Sequence, residues 1–343
     1  MPELPEVETV ARDLRGELVG RRFISAWVNE PGVLRFPDSG AFIAALPGSA
    51  VESVERRGKY IFCRLDGGEE LVVHLGMTGH LRVVGGDAEV VKHTHLRAGL
   101  DDGRELRFDD ARRFGRVMLG SRALLVERRV LPALGVEPLS GDFTPECFDG
   151  LMRRTSRTVK AALLDQSGIA GLGNIYVDES CHLAGIRPTR RANRLTRKER
   201  VALHAAIRSV LTKAVASRGT TIDDYRDLWD ARGSHQEELQ VYGRGGEPCL
   251  RCGATLRRTV VAGRTTVYCT SCQRCLPERA AIGGRRLSGG FRRRRLQRRR
   301  ERGADSRAVR RRSPRRRCAP LPLVARCLVC RRGLVVRLPT GHG

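Results

Sequence analysis

Apolar positions at the start of the chain recur at helical spacing. Val7, Val10, Ala11, Leu14 and Leu18 share one face, with Glu8, Arg12 and Asp13 around the rest of the helix. Pro5 suits a first turn, whose N–H groups have no intrahelical acceptor, and Glu6 and Glu8 suit the positive end of the helix dipole. Over residues 23–119 the period shifts towards two. Ile61, Cys63 and Leu65 alternate, as do Leu71, Val73 and Leu75 after the turn Asp66-Gly67-Gly68. The design repeats with Leu96, Ala98 and Leu100, a turn at Asp101-Asp102-Gly103, then Leu106 and Phe108. Consecutive hairpins of half-buried strands predict an antiparallel sandwich or barrel.

The pattern changes near Leu131-Pro132. Thr144 is placed to cap a helix that starts with Pro145. Thr196 and Glu199 form a capping box ahead of a helix whose inward face is Val201, Leu203, Ile207, Val210 and Leu211. Helices therefore occupy about residues 144–217, with a boundary at 130–140 and no internal repeat. The glycine-rich GIAGLGNIY opens a further helix, with Asn174 as its N-cap and free N–H groups suited to phosphate. A helix rather than a strand precedes it, which excludes a dinucleotide-binding fingerprint.

Hairpins followed by helices make this an α+β protein, and its length favours two domains, each with its own core: 343 residues, 41% hydrophobic and 30% charged. No apolar run approaches the roughly 20 residues of a membrane span. The first thirty residues lack the cationic and apolar segments of a secretory signal. The net charge is +26, most of it beyond residue 275, where 22 arginines face three acidic residues. A polyanion, most simply nucleic acid, is the partner such a balance favours.

Eleven cysteines without a secretory signal imply metal ligation or reduced thiols. Cys63, Cys147 and Cys181 read as small core residues. Cys249-x2-Cys252 and Cys269-x2-Cys272, sixteen residues apart, supply four soft ligands for one tetrahedral Zn²⁺ at the base of a β-hairpin that turns at Ala262-Gly263. A closed four-thiolate site is structural and contributes about 10 kcal/mol to folding its module. Arg257, Arg258 and Arg264 on that hairpin suit phosphate contact. Cys275 is a spare thiol, and Cys327-x2-Cys330 is an unpaired knuckle.

MPELPEVET, RRGKYIF, HLGMTGHL, DARRFGR, GIAGLGNIYVDE, RGTTIDDY, ELQVYGRGGEPC and the four-cysteine finger run in order over residues 1–273. Together they resemble the formamidopyrimidine-DNA glycosylase family of bacterial DNA-repair enzymes, its purine-directed branch rather than the endonuclease VIII-like one. The resemblance implies an N-terminal antiparallel β-sandwich with an N-terminal helix (1–135), a helix-two-turns-helix domain (136–230) and a zinc β-hairpin (240–275). It implies a monomer in the bacterial cytoplasm that acts on damaged double-stranded DNA. Removal of Met1 exposes Pro2, whose secondary amine attacks the sugar; Glu3 is the acid, Lys59 assists β-elimination, and Arg264 assists δ-elimination and binds phosphate. His74, His93, Arg112 and Asn174 match DNA-contacting positions. RRTSRTVK supplies Arg153, Arg154, Arg157 and Lys160 where relatives often carry a phosphate-binding lysine; Arg154 is carried as a DNA-binding candidate, and which of the four takes the lysine's place stays open. Met77, Arg112 and Phe114 are the residues that fill the hole left by a flipped base. Glu6, Thr220, Thr221, Tyr225 and Tyr242 are candidates for the base pocket. DARRFG departs from the usual DPRRFG, Ala111 standing for a proline.

Residues 276–343 lie outside the resemblance. Their arginine runs cannot bury a core and are expected to be disordered, raising nonspecific DNA affinity. A translated frameshift accounts for them equally well; peptides beyond Arg302 in the mass spectrum of the native protein would remove that reading. Two rival functions stand: a noncatalytic zinc-containing DNA-binding protein, and a glycosylase/lyase that prefers oxidised pyrimidines. Pro2-Glu3 together with Lys59 separates the first rival from an enzyme.

Overall fold

Helix α1 (Leu4–Leu18) is the helix the opening pattern predicts, and it belongs to two cores. Val7, Val10, Leu14 and Leu18 enter one apolar cluster, while Leu4 enters another whose other buried members start at Phe143. The computed structural model describes residues 1–29, 32–222 and 224–274. Cys275, the Cys327/Cys330 knuckle and the arginine-rich tail lie outside the described residues.

After α1 come β1 (Phe23–Val28), β2 (Leu34–Phe36), α2 (Ser39–Ala45), β3 (Val51–Arg57), β4 (Tyr60–Leu65) and β5 (Glu70–His74). They are followed by β6 (Gly79–Gly85), β7 (Thr94–Leu100), β8 (Arg104–Asp110), β9 (Arg116–Gly120) and α3 (Arg122–Glu127). Two sheets form, ordered β1-β7-β8-β6 and β2-β9-β5-β4-β3. Every pairing is antiparallel except that of β2 with β9, which is parallel. The predicted alternation sets the core: Ile61, Cys63, Leu71, Val73, Leu96, Ala98, Leu106 and Phe108 are all buried between the sheets.

The larger sheet is covered on its outer face too. Tyr60, Phe62, Val72 and Met118 pack with Leu125 of α3 and Leu131 in a separate cluster, which is why β4 reads as a nearly continuous apolar run. The short helices α2 and α3 are absent from the sequence expectation. Each buries a single apolar side chain, Phe42 or Leu125, too few to set up a helical period. Each is started by a cap: Asp38 accepts from the Ala41 N–H at 3.0 Å and Ser121 from the Leu124 N–H at 3.3 Å.

The second half builds α4 (Pro145–Arg153), α5 (Val159–Leu163), α6 (Asn174–Leu183) and α7 (Arg197–Ala216), then the hairpin β10 (Leu256–Val261) and β11 (Arg264–Cys269). Thr144 caps α4, with Pro145 at its first position. Thr196 and Glu199 form the expected reciprocal box on α7. Leu203, Ile207, Val210 and Leu211 point inward, but Val201 does not: it is 47% exposed. The face is completed instead by His204, whose Nε2 lies 2.7 Å from the Phe143 carbonyl, so a polar side chain is buried with its bond made. Cys63 and Cys181 are buried as expected, whereas Cys147, in the first turn of α4, is only half-buried.

One buried ion pair ties the hairpin to the helices. Lys160 of α5 and Asp178 of α6 are both 0% exposed and meet at 2.7 Å. Lys160 also donates to the Thr265 carbonyl at 3.0 Å, and the second Asp178 oxygen accepts from the Val267 N–H at 3.0 Å. Burial pushes the Asp178 carboxyl up to about 6, against the pull of Lys160. Removing one partner strands the other charge without water. Lys160→Met is therefore expected to cost about 3–5 kcal/mol in urea unfolding, and Lys160→Met with Asp178→Asn to recover part of it.

Candidate active site and zinc hairpin

The site is assembled where α1 begins, against the start of α6. Asn174 is the first residue of α6 rather than its cap, which is Gly173. The N–H groups expected to wait for phosphate are already engaged. Glu3 fills the place, its Oε1 accepting from the Ile175 N–H at 2.9 Å and its Oε2 from the Tyr176 N–H at 3.4 Å. A carboxylate at a helix N-terminus satisfies orphan donors and the dipole together. Glycine is required here by contact: a Cβ on Gly173 would lie 2.2 Å from Glu3 Cδ. On Gly171, at φ +87°, it would lie 2.8 Å from the Leu4 Cβ. The Leu4 N–H closes the junction on the Gly171 carbonyl at 3.0 Å.

Glu6 is the second buried acid. Its Oε2 accepts from the Glu3 N–H at 2.8 Å, and its Oε1 from the Thr220 N–H at 2.7 Å and from the Tyr176 hydroxyl. Tyr176 also shares a bond with the Thr220 hydroxyl at 2.9 Å. Burial first, then the Glu3 charge, push the Glu6 carboxyl above its ordinary range, opposed by these hydrogen bonds. Tyr176 was not among the expected site residues. Its position inside GIAGLGNIY was the available signal, but its hydroxyl's partner is 170 residues away.

Lys59 sits in the two-residue turn between β3 and β4, where Glu137 takes Arg56 at 2.7 Å, Arg57 at 2.8 Å and the Gly58 N–H. The ammonium is buried. Burial lowers its pKa most, Glu3 and Glu6 oppose that, and Arg264 lowers it further, so these four side chains share one electrostatic neighbourhood. His74 lies beside it: burial, Lys59 and Arg116 hold the imidazole down to about 4. Its Nδ1 accepts from the Gly76 N–H at 3.1 Å, leaving the proton on Nε2 as a neutral donor.

A cavity next to Pro2 is lined by Glu6, Met77, Arg112, Thr220, Tyr225 and Tyr242, and also by Ile175, Ile222 and Asp224, which the sequence did not single out. Thr221 is not among the lining residues; its hydroxyl donates to the Tyr225 carbonyl at 3.2 Å and accepts from the Gly233 N–H at 3.0 Å. Met77 is 36% and Phe114 50% exposed, with the Arg112 guanidinium 4.9 Å from the Phe114 ring centre. Ala111 does not leave its loop slack. The buried Asp110 accepts from the Gly115 N–H at 2.7 Å, the Arg112 N–H at 3.3 Å and the Thr78 hydroxyl. His93 is exposed. Asn174 donates to the Thr265 carbonyl at 3.1 Å, and its buried Oδ1 has no hydrogen-bond partner among the described residues. Of the basic run before α6, Lys160 is buried in its ion pair, and Arg153 and Arg157 pair with Asp149 and Asp165. Arg154 is exposed, with no ion pair among the described residues.

The four expected cysteines converge, all Sγ atoms within 4.8 Å of one another. Cys249 and Cys272 are 3.9 Å apart, Cys252 and Cys269 3.5 Å. A zinc–thiolate tetrahedron with bonds of about 2.3 Å has edges of about 3.8 Å, so the donor set fits one structural Zn²⁺. His182 of α6 places Nε2 3.6 Å from the Cys249 sulfur. Arg264 opens β11 directly after Ala262 and Gly263, which both have positive φ, and is exposed at the hairpin tip. Among the described residues no helix is long and apolar enough to cross a membrane.

Fold and site define a three-module protein, and family models match each module in order. These are the formamidopyrimidine-DNA glycosylase N-terminal domain over residues 1–117, the formamidopyrimidine-DNA glycosylase H2TH domain over 134–226, and the zinc finger found in FPG and IleRS over 246–274. The chain belongs to the formamidopyrimidine-DNA glycosylase family. It is 46% identical over 280 residues to the formamidopyrimidine-DNA glycosylase of Herpetosiphon aurantiacus, covering 80% of this chain and 100% of that protein. It is 45% identical over 292 residues to that of Symbiobacterium thermophilum, covering 85% and 95%. Among solved structures, the MutM (FPG) protein of Thermus thermophilus superposes with TM-score 0.72 at 42% identity, covering 79% of this chain and 98% of that one. A Lactococcus lactis Fpg in complex with abasic-site DNA gives 0.74 at 36%, covering 80% and 100%.

Two outcomes are expected. Metal analysis of purified protein finds one zinc per chain. Gly173→Ala, which drives a methyl into Glu3, lowers any strand cleavage about 100-fold, or about 2.7 kcal/mol, while zinc content is unchanged.

Proposed function

We propose that this protein excises oxidised purines, 8-oxoguanine and formamidopyrimidines, from duplex DNA and cuts the strand at the resulting abasic site. One juxtaposition carries the reading: Pro2 borders a cavity with Glu6, Thr220, Tyr225 and Tyr242, while Lys59 lies among the charges of Glu3, Glu6 and Arg264. The names of the relatives, and structural neighbours solved with Fapy-dG DNA and abasic-site DNA, support it.

In this reading Met1 is removed and the Pro2 nitrogen is the nucleophile. An α-amino group ordinarily titrates near 8, so a useful fraction is neutral. The nitrogen forms a bond to sugar C1′ as the glycosidic bond breaks, and Glu3 supplies the proton that the sugar oxygen or departing base requires. The proton that the attached amine loses passes through Glu3 to O4′ as the C1′–O4′ bond breaks; the opened sugar is an iminium, which as a secondary-amine adduct keeps its positive charge and acidifies the C2′–H. Removal of that proton expels the 3′ phosphate, and a second elimination expels the 5′ phosphate. Lys59, whose buried ammonium gives up its proton more readily than an exposed one, assists the first elimination, and Arg264 stabilises phosphate in the second.

His74, His93, Arg154 and Asn174 hold the DNA backbone, and Met77, Arg112 and Phe114 fill the vacated stack. Residues 1–135 thus carry the nucleophile, the acid and Lys59, while 136–230 and 240–275 add backbone contacts and Arg264. Zinc, when bound, holds the hairpin that presents Arg264. The protein acts as a monomer on the bacterial nucleoid in the cytoplasm.

The test is borohydride reduction during incubation with duplex carrying 8-oxoguanine opposite cytosine, without nucleotide or Mg²⁺. A covalent protein–DNA adduct is expected, and retention of Met1 or Pro2→Gly reduces it. Undiminished trapping by protein with a blocked N-terminus overturns the mechanism. Binding without nicking favours the noncatalytic rival, and faster release of oxidised pyrimidines than of 8-oxoguanine moves the substrate class.

A further inference from the structure

The segment after α7 reaches the base cavity through Thr220 and Tyr225, and both are buried. Its neck is zipped. The Ser234 N–H donates to the Ser217 carbonyl at 3.0 Å and the His235 N–H to the Gly219 carbonyl at 3.1 Å. Gly219, at φ +84°, lets the chain pass so close that a Cβ there would lie 2.8 Å from Glu6 Oε1.

Beyond the neck a second fastening exists, and nothing in the chemistry above uses it. Arg218, at φ +56°, donates from Nε and Nη2 to Asp227 Oδ2 at 3.0 and 2.5 Å, and from Nη2 to Asp13 Oδ2 at 2.6 Å. The other Asp227 oxygen accepts from the Trp229 and Ala231 N–H groups at 3.0 and 2.9 Å. The Asp227 carbonyl lies 2.7 Å from His80 Nε2 on β6. Asp227 is 2% exposed, so its charge is stranded if Arg218 leaves.

Asp13 sits on α1, seven residues and two turns beyond Glu6, hence on the same face and about 10 Å along the axis. One rigid helix thus carries the acids beside the nucleophile at its start and the anchor of the pocket segment further along. Between the two anchors, the Tyr225 hydroxyl lies 3.2 Å from the Arg218 carbonyl and the Thr220 N–H is bonded to Glu6.

We infer that Asp13, Arg218 and Asp227 are positioning residues for base excision: the triad registers Thr220 and Tyr225 against the Pro2–Glu6 end of α1, and so governs the step that needs a seated base. The inference rests on the base-pocket reading proposed above. An abasic site has no base to seat, so cleavage of preformed abasic DNA uses the amine without the triad.

The experiment compares the intact chain with Asp13→Asn, Asp13→Ala, Arg218→Ala and Arg218→Lys on two duplexes, one with 8-oxoguanine and one with a preformed abasic site, under single-turnover conditions. Asp13→Ala and Arg218→Ala are expected to slow release of 8-oxoguanine about tenfold or more while abasic cleavage stays within about twofold. Asp13→Asn and Arg218→Lys, which keep one hydrogen bond each, are expected to lose less. Abasic cleavage doubles as the measure of folding. Parallel loss of both activities in all four variants, or no loss of excision in any, overturns the inference. Failure of the unaltered protein to cut abasic DNA defeats the functional reading instead, and the two failures are therefore distinguishable.

Discussion

The Glu3 carboxylate seated on the first N–H groups of α6 is the contact on which the rest of the site depends. It joins residues more than 170 positions apart and fixes the chain's first residues against the helical half. Without it, the residue next to the N-terminus would have neither a fixed direction nor a fixed distance from Lys59. The seat is built by absence of side chains. Gly171 and Gly173 allow backbone and carboxylate to meet closer than any Cβ permits. Leu4 then enters the helical core while Val7 enters the sandwich core, so a single turn of α1 is packed into both.

Helix α6 organises the remainder. Along NIYVDESCH, successive residues serve different neighbours: Ile175 and Tyr176 hold the acids of α1, Asp178 holds β11, Glu179 gathers the N–H groups of Gln240, Val241 and Tyr242, and His182 touches a zinc-ligand sulfur. Few of these bonds face water. Desolvation makes each costly to leave unmade, so they constrain geometry more strongly than exposed ion pairs of the same length could.

The sequence reveals what is local and hides what is mutual. The α1 face, the hairpin alternation, the caps at Thr144 and Thr196 and the four-thiolate spacing are short-range patterns with a fixed period, and each could be read directly. Pro2 gave no signal through periodicity; only the resemblance singled it out. Tyr176, Asp178, Glu137 and Asp110 escaped notice because each acts through partners brought near by the fold. The helix N–H groups after Asn174 were read as free for a related reason: the carboxylate that takes those of Ile175 and Tyr176 comes from the same chain. Val201 was misplaced because apolar spacing alone cannot reveal that a histidine with a satisfied nitrogen takes the inward position. The short helices α2 and α3 were missed because one buried side chain does not make a period.

Met77 and Phe114 stand in solvent at the tips of two loops whose backbones are in close contact at Gly76 and Gly115. Leaving apolar surface wet in the unliganded molecule withholds hydrophobic free energy until a dry cavity is offered. An undamaged, well-stacked duplex offers no such cavity. On the proposed reading of Met77 and Phe114 as fillers of the vacated stack, part of the discrimination between sound and damaged DNA moves from recognition of the base itself to the ease with which the helix opens.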